Sequence, residues 1–330
     1  MAATDVFGMV ARVASPVVVA RRELHEQLCS RATPAALTRL RTTLRGLQEA
    51  GRGVYRLEWP RRGRVVPFFV PHPHAGEKIL DDYPLVAGLR RAVLKDLPDY
   101  RIDRLWEFVP FLGGVRLIPE LSRTCLDFNR GENDISDRVV EGGPHVPGEG
   151  REWVIRPVTF FGDHRLLARP LTQAEFRRLI DGYWCPYHRA RDIITEAMRD
   201  TFGWVYRLEG HSCPSVGNNE SKDPGQMRPP FTFGNAYGKS APANLATFFA
   251  GFMKAHGYPN VGLNFPYSGA ATTVKGSDPE RGIFVTILEI SRAIYMDENR
   301  VWLKPGAAAR FQNLLAPLSA GMLVYLETCR

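Results

Sequence analysis

Long apolar runs and paired cysteines are both missing from this sequence. Among 330 residues no uninterrupted apolar stretch reaches the roughly 18 needed to cross a membrane as a helix, so no membrane partner is expected. The amino-terminal stretch "MAATDVFGMVARVASPVVVARREL" has no basic leader and its apolar character is broken at Arg12, which argues against a cleaved signal peptide. The five cysteines (Cys29, Cys125, Cys185, Cys213 and Cys329) are odd in number, widely scattered and free of any C-x-x-C pair. That argues against a disulfide framework and against a cysteine-only zinc ribbon, and it fits a reducing cytoplasm. Acidic residues are the scarcer charge: 35 Asp and Glu against 43 Lys and Arg leave a net +8. A basic excess suits nucleic acid, an anionic substrate or a merely basic surface. Here the arginines are dispersed, with "RRGR" (Arg61 to Arg64) as the one short cluster. Without a zinc finger, an RRM signature or alternating aromatic and basic residues, no nucleic-acid partner is expected.

What is present suffices for a large core. The 44% hydrophobic content supports one large domain or two modest ones. From about Glu23 to Gly51 the pattern reads as two helices, the second opened by an Ala-Thr-Pro turn, with Leu37, Leu40, Leu44 and Leu47 on one face and Gly51 as the stop. "VVPFFVPHPH" reads as a buried strand running into a loop. "YPLVAGLRRAVLKDLPDYRIDRLWEFVPFLG" reads as helices interrupted near Pro98, and "GENDISDRVVEGGPHVPGEGREW" as a long mobile loop. "LTQAEFRRLIDGYWCPYHRARDIITEAMRDTFG" is helical with an interruption at Pro186, and "APANLATFFAGFMKAHG" is a further helix. "WVYRLEGHSCPSVG" and "GIFVTILEISRAIYMDE" read as strands, the second turning over at Glu289. Strands alternating with helices, without a repeat, indicate an α/β domain with a largely buried sheet.

The chemistry-bearing residues follow the strand-like runs, which is where open α/β sheets build their sites. In "FFVPHPHAGEKILDDYP", His74 and Glu77 make an H-x-x-E spacing that can close on one metal ion from a strand end and the next turn. His211 follows a second run and Glu289 ends a third. Two histidines and a carboxylate from separate strands suit a catalytic zinc, which takes three protein ligands and leaves one position open. A further carboxylate nearby would serve as general base. Taken singly, each has a plainer reading: His72 as a loop histidine, His74 and His211 as satisfied buried imidazoles, Glu289 as a core partner of Arg292.

Read in order, "VPHPHAGEKI", "SRTCLDFNR", "YWCPYH", "LEGHSCPSVG", "NFPYSGAATT" and "LEISRAIYMDE" resemble successive motifs of the N-formylglutamate amidohydrolase family. Its pattern runs approximately PHAG, SRxxxDLNR, YWxPYH, DxHSxPS, NxPYxGGxxT and LEINRxLYMDE, and the resemblance spans roughly Arg56 to Arg300. It implies a three-layer α/β/α fold around a twisted mixed sheet, akin to zinc carboxypeptidases and aspartoacylase-like hydrolases. A helical extension (1–52) would precede a catalytic domain (53–330).

The resemblance also implies roles, residue by residue. His74 and His211 would hold one Zn²⁺, with either Glu77 or Asp99 as the carboxylate ligand. Arg123 would stabilise an oxyanion, and Glu289 would be the general base and later acid. Asn129 and Arg130 would hold a substrate carboxylate, with Asp127 as their alternative partner in a purely structural ion pair. His188 and Tyr267 would line the pocket. The implied activity is hydrolysis of an amide C–N bond in a small N-formyl or N-acyl amino acid. A different acyl substrate and a non-catalytic ligand-binding relative stay open as alternatives. The sequence departs from the pattern at Glu209 (for aspartate), at Asn235 and Ala236 (for an acid and an arginine) and at Ser291 (for asparagine), which argues for altered substrate recognition. Oligomeric state is not legible.

Overall fold

The computed structural model describes residue 28 and residues 32–61, 63–89, 97–147, 153–159, 164–218, 221–269 and 271–328. The fold is mixed α/β, built on a seven-stranded sheet. Its strands are β1 (Tyr55–Glu58), β2 (Phe68–Pro71), β3 (Val115–Pro119), β4 (Val205–Cys213), β5 (Phe231–Gly234), β6 (Val261–Leu263) and β7 (Ile283–Ser291). They lie in the order β1-β3-β2-β4-β7-β5-β6. β3, β2, β4 and β7 run parallel, β1 is antiparallel to β3, and β5 is antiparallel to β7. A separate two-stranded ribbon pairs β8 (Met296–Asp297) with β9 (Trp302–Leu303).

The two nine-residue strands β4 and β7 form the centre, and every residue of both is buried. A strand covered on both faces has no solvent side to mark with alternating polar residues, so "IFVTILEIS" reads as a near-continuous apolar run, broken at Thr286 and Glu289. Both strands extend further than the sequence pattern suggests. His211 and Glu289 lie inside them rather than after them, directly opposite one another in the β4–β7 register.

Helix α1 (Pro34–Ala50) begins where Thr33 accepts a hydrogen bond from the Ala36 N–H and stops at Gly51. Its Leu40 and Leu44 are buried in the main core, with Leu37 and Leu47 packed beside them. The helix is tied to β1 by Gln48, whose amide donates to the Leu57 carbonyl at 2.8 Å. Of the first of the two amino-terminal helices expected, only Leu28 is described, buried in the main core; residues 90–96 in the next helical segment and 148–152 in the expected mobile loop lie outside the described residues. The described part of that loop is a chain of turns.

Helix α2 (Gln173–Leu179) starts with a full capping box between Thr172 and Glu175. It passes through a π-helical turn (Ile180–Trp184) into α3 (Cys185–Phe202). Pro186 has no N–H to donate, and widening the turn lets the chain continue as helix instead of breaking. The interruption read at this proline is therefore a bulge. Helix α4 (Asn244–Ala255) follows β5 as expected, and α5 (Ala307–Thr328), which the motifs did not touch, closes the chain against α4. No helix among the described residues is long and apolar enough to cross a membrane.

Close backbone packing beside His74 depends on one glycine. The segment around Lys78 bonds to the chain leaving β3: Lys78 donates to the Glu120 carbonyl and Ser122 donates back to the Lys78 carbonyl. A methyl on Gly76 would lie 2.6 Å from the Leu121 carbonyl carbon and 2.8 Å from the Pro119 oxygen, both rigid backbone. Gly76→Ala is expected to cost about 1–3 kcal/mol in urea unfolding. Gly46, exposed in α1 with open space around it, is the contrasting site. Gly46→Ala should gain up to about 1 kcal/mol by helix propensity, and equal effects at the two positions would contradict the packing described.

Candidate metal site and active-site cavity

β2 ends at Pro71, and the chain turns through His72 to His74 at the carboxyl ends of the parallel strands. The Asp99 backbone N–H donates to the His74 carbonyl at 2.9 Å, fastening the loop that carries Asp99 to the one that carries His74. The Asp99 carboxylate is almost fully buried. Its Oδ2 accepts the Ser212 N–H at 3.0 Å and lies 3.3 Å from His211 Nδ1 and 3.7 Å from His74 Nδ1. His74, Asp99 and His211 form the candidate metal-binding group, each offering one ligand atom within 4.8 Å of the others.

The other nitrogen of His74 decides how the ring is used. His74 Nε2 lies 2.9 Å from Asp127 Oδ1. An ionised carboxylate can only accept, so Nε2 carries the proton and the lone pair of the neutral ring sits on Nδ1, facing Asp99. A lone pair directed at a buried carboxylate oxygen is repulsive unless a proton or a cation stands between them. Such carboxylate–histidine pairs are the usual support of metal-binding imidazoles. His211 Nε2, also buried, has no hydrogen-bond partner among the described residues. Two imidazole nitrogens and one carboxylate oxygen, converging in a dry wall, fit a divalent metal ion.

Electrostatics follow the same logic. Burial raises Asp99, but the two histidines outweigh it and hold the carboxyl well below the usual range. Burial likewise raises Asp127, and Arg123 and His74 more than offset that. Burial lowers His211, yet its hydrogen bond to Asp99 and the charge of Glu289 bring it up to about 8. Glu289 is the exception among these acids: burial pushes it up to about 7, beyond what His211 and the nearby arginines counter.

A cavity of about 340 Å³ opens over the group, lined by His74, His211 and Glu289 together with Arg123, Asn129, Arg130 and Tyr267. Arg123 donates from Nε to Asp127 Oδ2 at 2.8 Å, and the Asn129 N–H donates to Asp127 Oδ1 at 2.9 Å. One buried carboxylate thus positions both His74 and Arg123. The ion pair weighed for Arg130 is made by Arg123 instead.

Two residues named from the sequence lie elsewhere. Glu77 points away from the histidines and pairs with Arg101 at 3.3 Å, both about one-third exposed. The H-x-x-E spacing is present, but the histidines meet Asp99. His188 is buried against the Trp184 ring, centroids 3.9 Å apart, and lines a neighbouring cavity that shares Arg130 with the first. Glu289 does not pair with Arg292, which donates instead to the Pro98 carbonyl at 3.0 Å. Arg156 and Arg228 had no role in the sequence reading, and Asp127 entered it only as an ion-pair partner. Arg156 lines the cavity from a loop, Asp127 positions two site residues, and Arg228, held by Asp223 at 2.7 Å, stacks on Tyr267. Of these, Asp127 carried a signal, the aspartate of the D-x-N-R run.

Comparison with known proteins identifies the family. A sequence model of the N-formylglutamate amidohydrolase family matches residues 66–296. N-formylglutamate deformylase of Pseudomonas aeruginosa PAO1 is 30% identical over 274 residues, 79% of this chain and 95% of that protein. The Pseudomonas putida N-formylglutamate deformylase is 28% identical over 245 residues, 72% of this chain and 84% of that one. Among solved structures, N-formylglutamate amidohydrolase from Ralstonia eutropha JMP134 superposes with a TM-score of 0.73 at 27% identity, covering 84% of this chain and 99% of that one. A protein of Agrobacterium tumefaciens, at 18% identity and TM-score 0.53 over 82% of this chain and 97% of its own, shares the fold. With the family model matching residues 66–296 and a relative 30% identical over most of both chains, this chain belongs to the N-formylglutamate amidohydrolase family.

Proposed function

We propose that this chain is a zinc-dependent amidohydrolase cleaving the C–N bond of a small N-formyl or N-acyl amino acid that carries a free carboxylate. One observation carries the reading. The two histidines of a His74–Asp99–His211 group, a high-pKa carboxylate in register with His211, and several arginines line one cavity. The names of the two Pseudomonas relatives favour a formyl group on a glutamate-like amine. The departures at Glu209, Asn235, Ala236 and Ser291 leave another acyl amino acid as the second reading. The finer fold assignment, three α/β/α layers of the zinc carboxypeptidase type, rests on a mixed sheet with its site at the carboxyl ends of parallel strands. Residues 1–52 we read as an addition ahead of the family match, which begins at 66; its described part carries helix α1. A reducing cytoplasm suits the free thiols of Cys125, Cys185 and Cys213.

His74, Asp99 and His211 would hold a zinc ion, whose Lewis acidity would be available to a carbonyl oxygen and a water. Glu289 takes the proton from the attacking water and delivers it to the leaving nitrogen. A carboxyl brought up to about 7 is suited to both transfers near neutral pH. Arg123, oriented by Asp127, stabilises charge developing on the carbonyl oxygen. Asn129 and Arg130 hold the substrate carboxylate, where a planar guanidinium grips two oxygens at once. Tyr267, beneath Arg228, forms part of the cavity wall. Glu77 and His188 have no part in this scheme.

Formate release from N-formyl-L-glutamate by zinc-loaded protein tests the reading. Glu289→Gln should lower turnover about 10²- to 10⁴-fold while zinc content is unchanged. Turnover surviving the substitution would remove Glu289 from the role, and absence of turnover in both proteins would move the weight to another amide.

In the active protein kcat/KM should fall with decreasing pH through an apparent pKa above the ordinary 4.5 and no higher than about 7, because protonated Glu289 cannot accept. A profile flat down to about pH 5 would contradict this. Stability carries the opposite sign. A carboxyl raised from 4.5 to about 7 in the folded state weakens the metal-free fold as pH rises across that window. Metal-free Glu289→Gln should therefore gain on the wild type in urea midpoint at about pH 8 and show no gain at about pH 4.

A further inference from the structure

Asp99 differs from the two histidines in what holds it. His211 sits inside a central strand, and His74 leaves one through a turn pinned at both ring and backbone. Asp99 comes from a loop two residues after Leu97, and its carboxylate needs an external brace. Arg292 supplies three contacts around it. Its Nη2 donates to the Pro98 carbonyl at 3.0 Å and lies 3.4 Å from Asp99 Oδ1, and its Nε donates to Ser212 Oγ at 3.3 Å. Ser212 in turn donates its N–H to Asp99 Oδ2 at 3.0 Å. Arg292 is 4% exposed and belongs to the turn that leaves β7 three residues after Glu289.

We infer that Arg292 is a positioning residue for the metal site, a rigid fork that fixes Asp99 Oδ1 and so aims Oδ2 at the two histidines. The inference rests on the reading of His74, Asp99 and His211 as metal ligands. The planar fork matters because its donors reach a backbone carbonyl, a carboxylate and a hydroxyl together, which a lysine ammonium on a flexible stem cannot reproduce. Neutralising one oxygen of Asp99 also leaves the other to bind the ion without a second uncompensated charge in a dry wall. Arg292 lines the substrate cavity as well, so a direct grip on substrate is the competing role.

The test is Zn²⁺ affinity of the full chain, measured against a competing chelator, for wild type, Arg292→Gln, Asp99→Asn and the double variant. Circular dichroism of each metal-free protein checks the fold. Supports of this kind change metal affinity about 10- to 100-fold. Arg292→Gln should weaken zinc by that factor on the wild-type background and by less than about threefold when Asp99 is already asparagine, the coupling expected of residues in contact. The same loss on both backgrounds, or unchanged zinc affinity with only KM raised, would overturn the inference. Should Arg292→Gln fail to fold, Arg292→Lys takes its place in the cycle and is judged by the same coupling. A wild-type chain that binds no zinc would overturn the metal reading itself, and this one with it. A wild type that binds, beside an Arg292→Gln that binds as tightly, would overturn this one alone.

Discussion

A carboxylate buried between two imidazole nitrogens sets the terms for the rest of this structure. Asp99 is 1% exposed, and water does not reach it to spread its charge. Removing an ion from water costs several kcal/mol even after relaxation, so each of its oxygens must be met by positive charge or by donors. The Ser212 N–H and Arg292 meet part of that demand. The remainder faces His74 and His211, whose Nδ1 atoms can satisfy it as protonated rings or through a shared cation. Asp127 behind His74 and the register that sets Glu289 beside His211 are consequences of building the group at the carboxyl ends of buried parallel strands.

The same requirement accounts for the arginines buried inside the fold. Inside the fold arginines face acids: Arg123 with Asp127, Arg228 with Asp223, Arg292 with Asp99, and Arg207 with Glu209 at 3.4 Å. Buried pairs of this kind add little net stability, but losing one partner leaves a charge stranded and costs about 3–5 kcal/mol. They fix geometry. Asp127 alone orients a metal-ligand candidate and the arginine proposed at the oxyanion, so the electrostatics of the cavity are set by pairs formed before any substrate arrives. Glu289, whose pKa is raised by burial, is left as the acid poised to exchange a proton.

Much of this was legible in the sequence, for identifiable reasons. β7 showed because a fully buried strand reads as a near-continuous apolar run, and α1 showed through its leucine face and terminal signals. His74, His211 and Glu289 were visible because strand ends are where such sheets carry sites. The carboxylate partner stayed open between Glu77 and Asp99, since local spacing favours the first while only the folded loop brings the second to the histidines. His188, placed in the pocket by its motif resemblance, lines a neighbouring cavity that shares Arg130 with the first. Arg156 left no trace, coming from a loop without a motif. Helix α5, largely apolar and buried, lies beyond the family motifs and was passed over for that reason.

A crystal structure of the zinc-loaded protein, with anomalous diffraction at the zinc edge, tests the central claim most directly. The account predicts one strong anomalous peak at bonding distance, about 2.0–2.2 Å, from His74 Nδ1, His211 Nδ1 and an Asp99 oxygen. A peak coordinated by Glu77 in place of Asp99, or zinc bound at full stoichiometry away from both histidines, would contradict it.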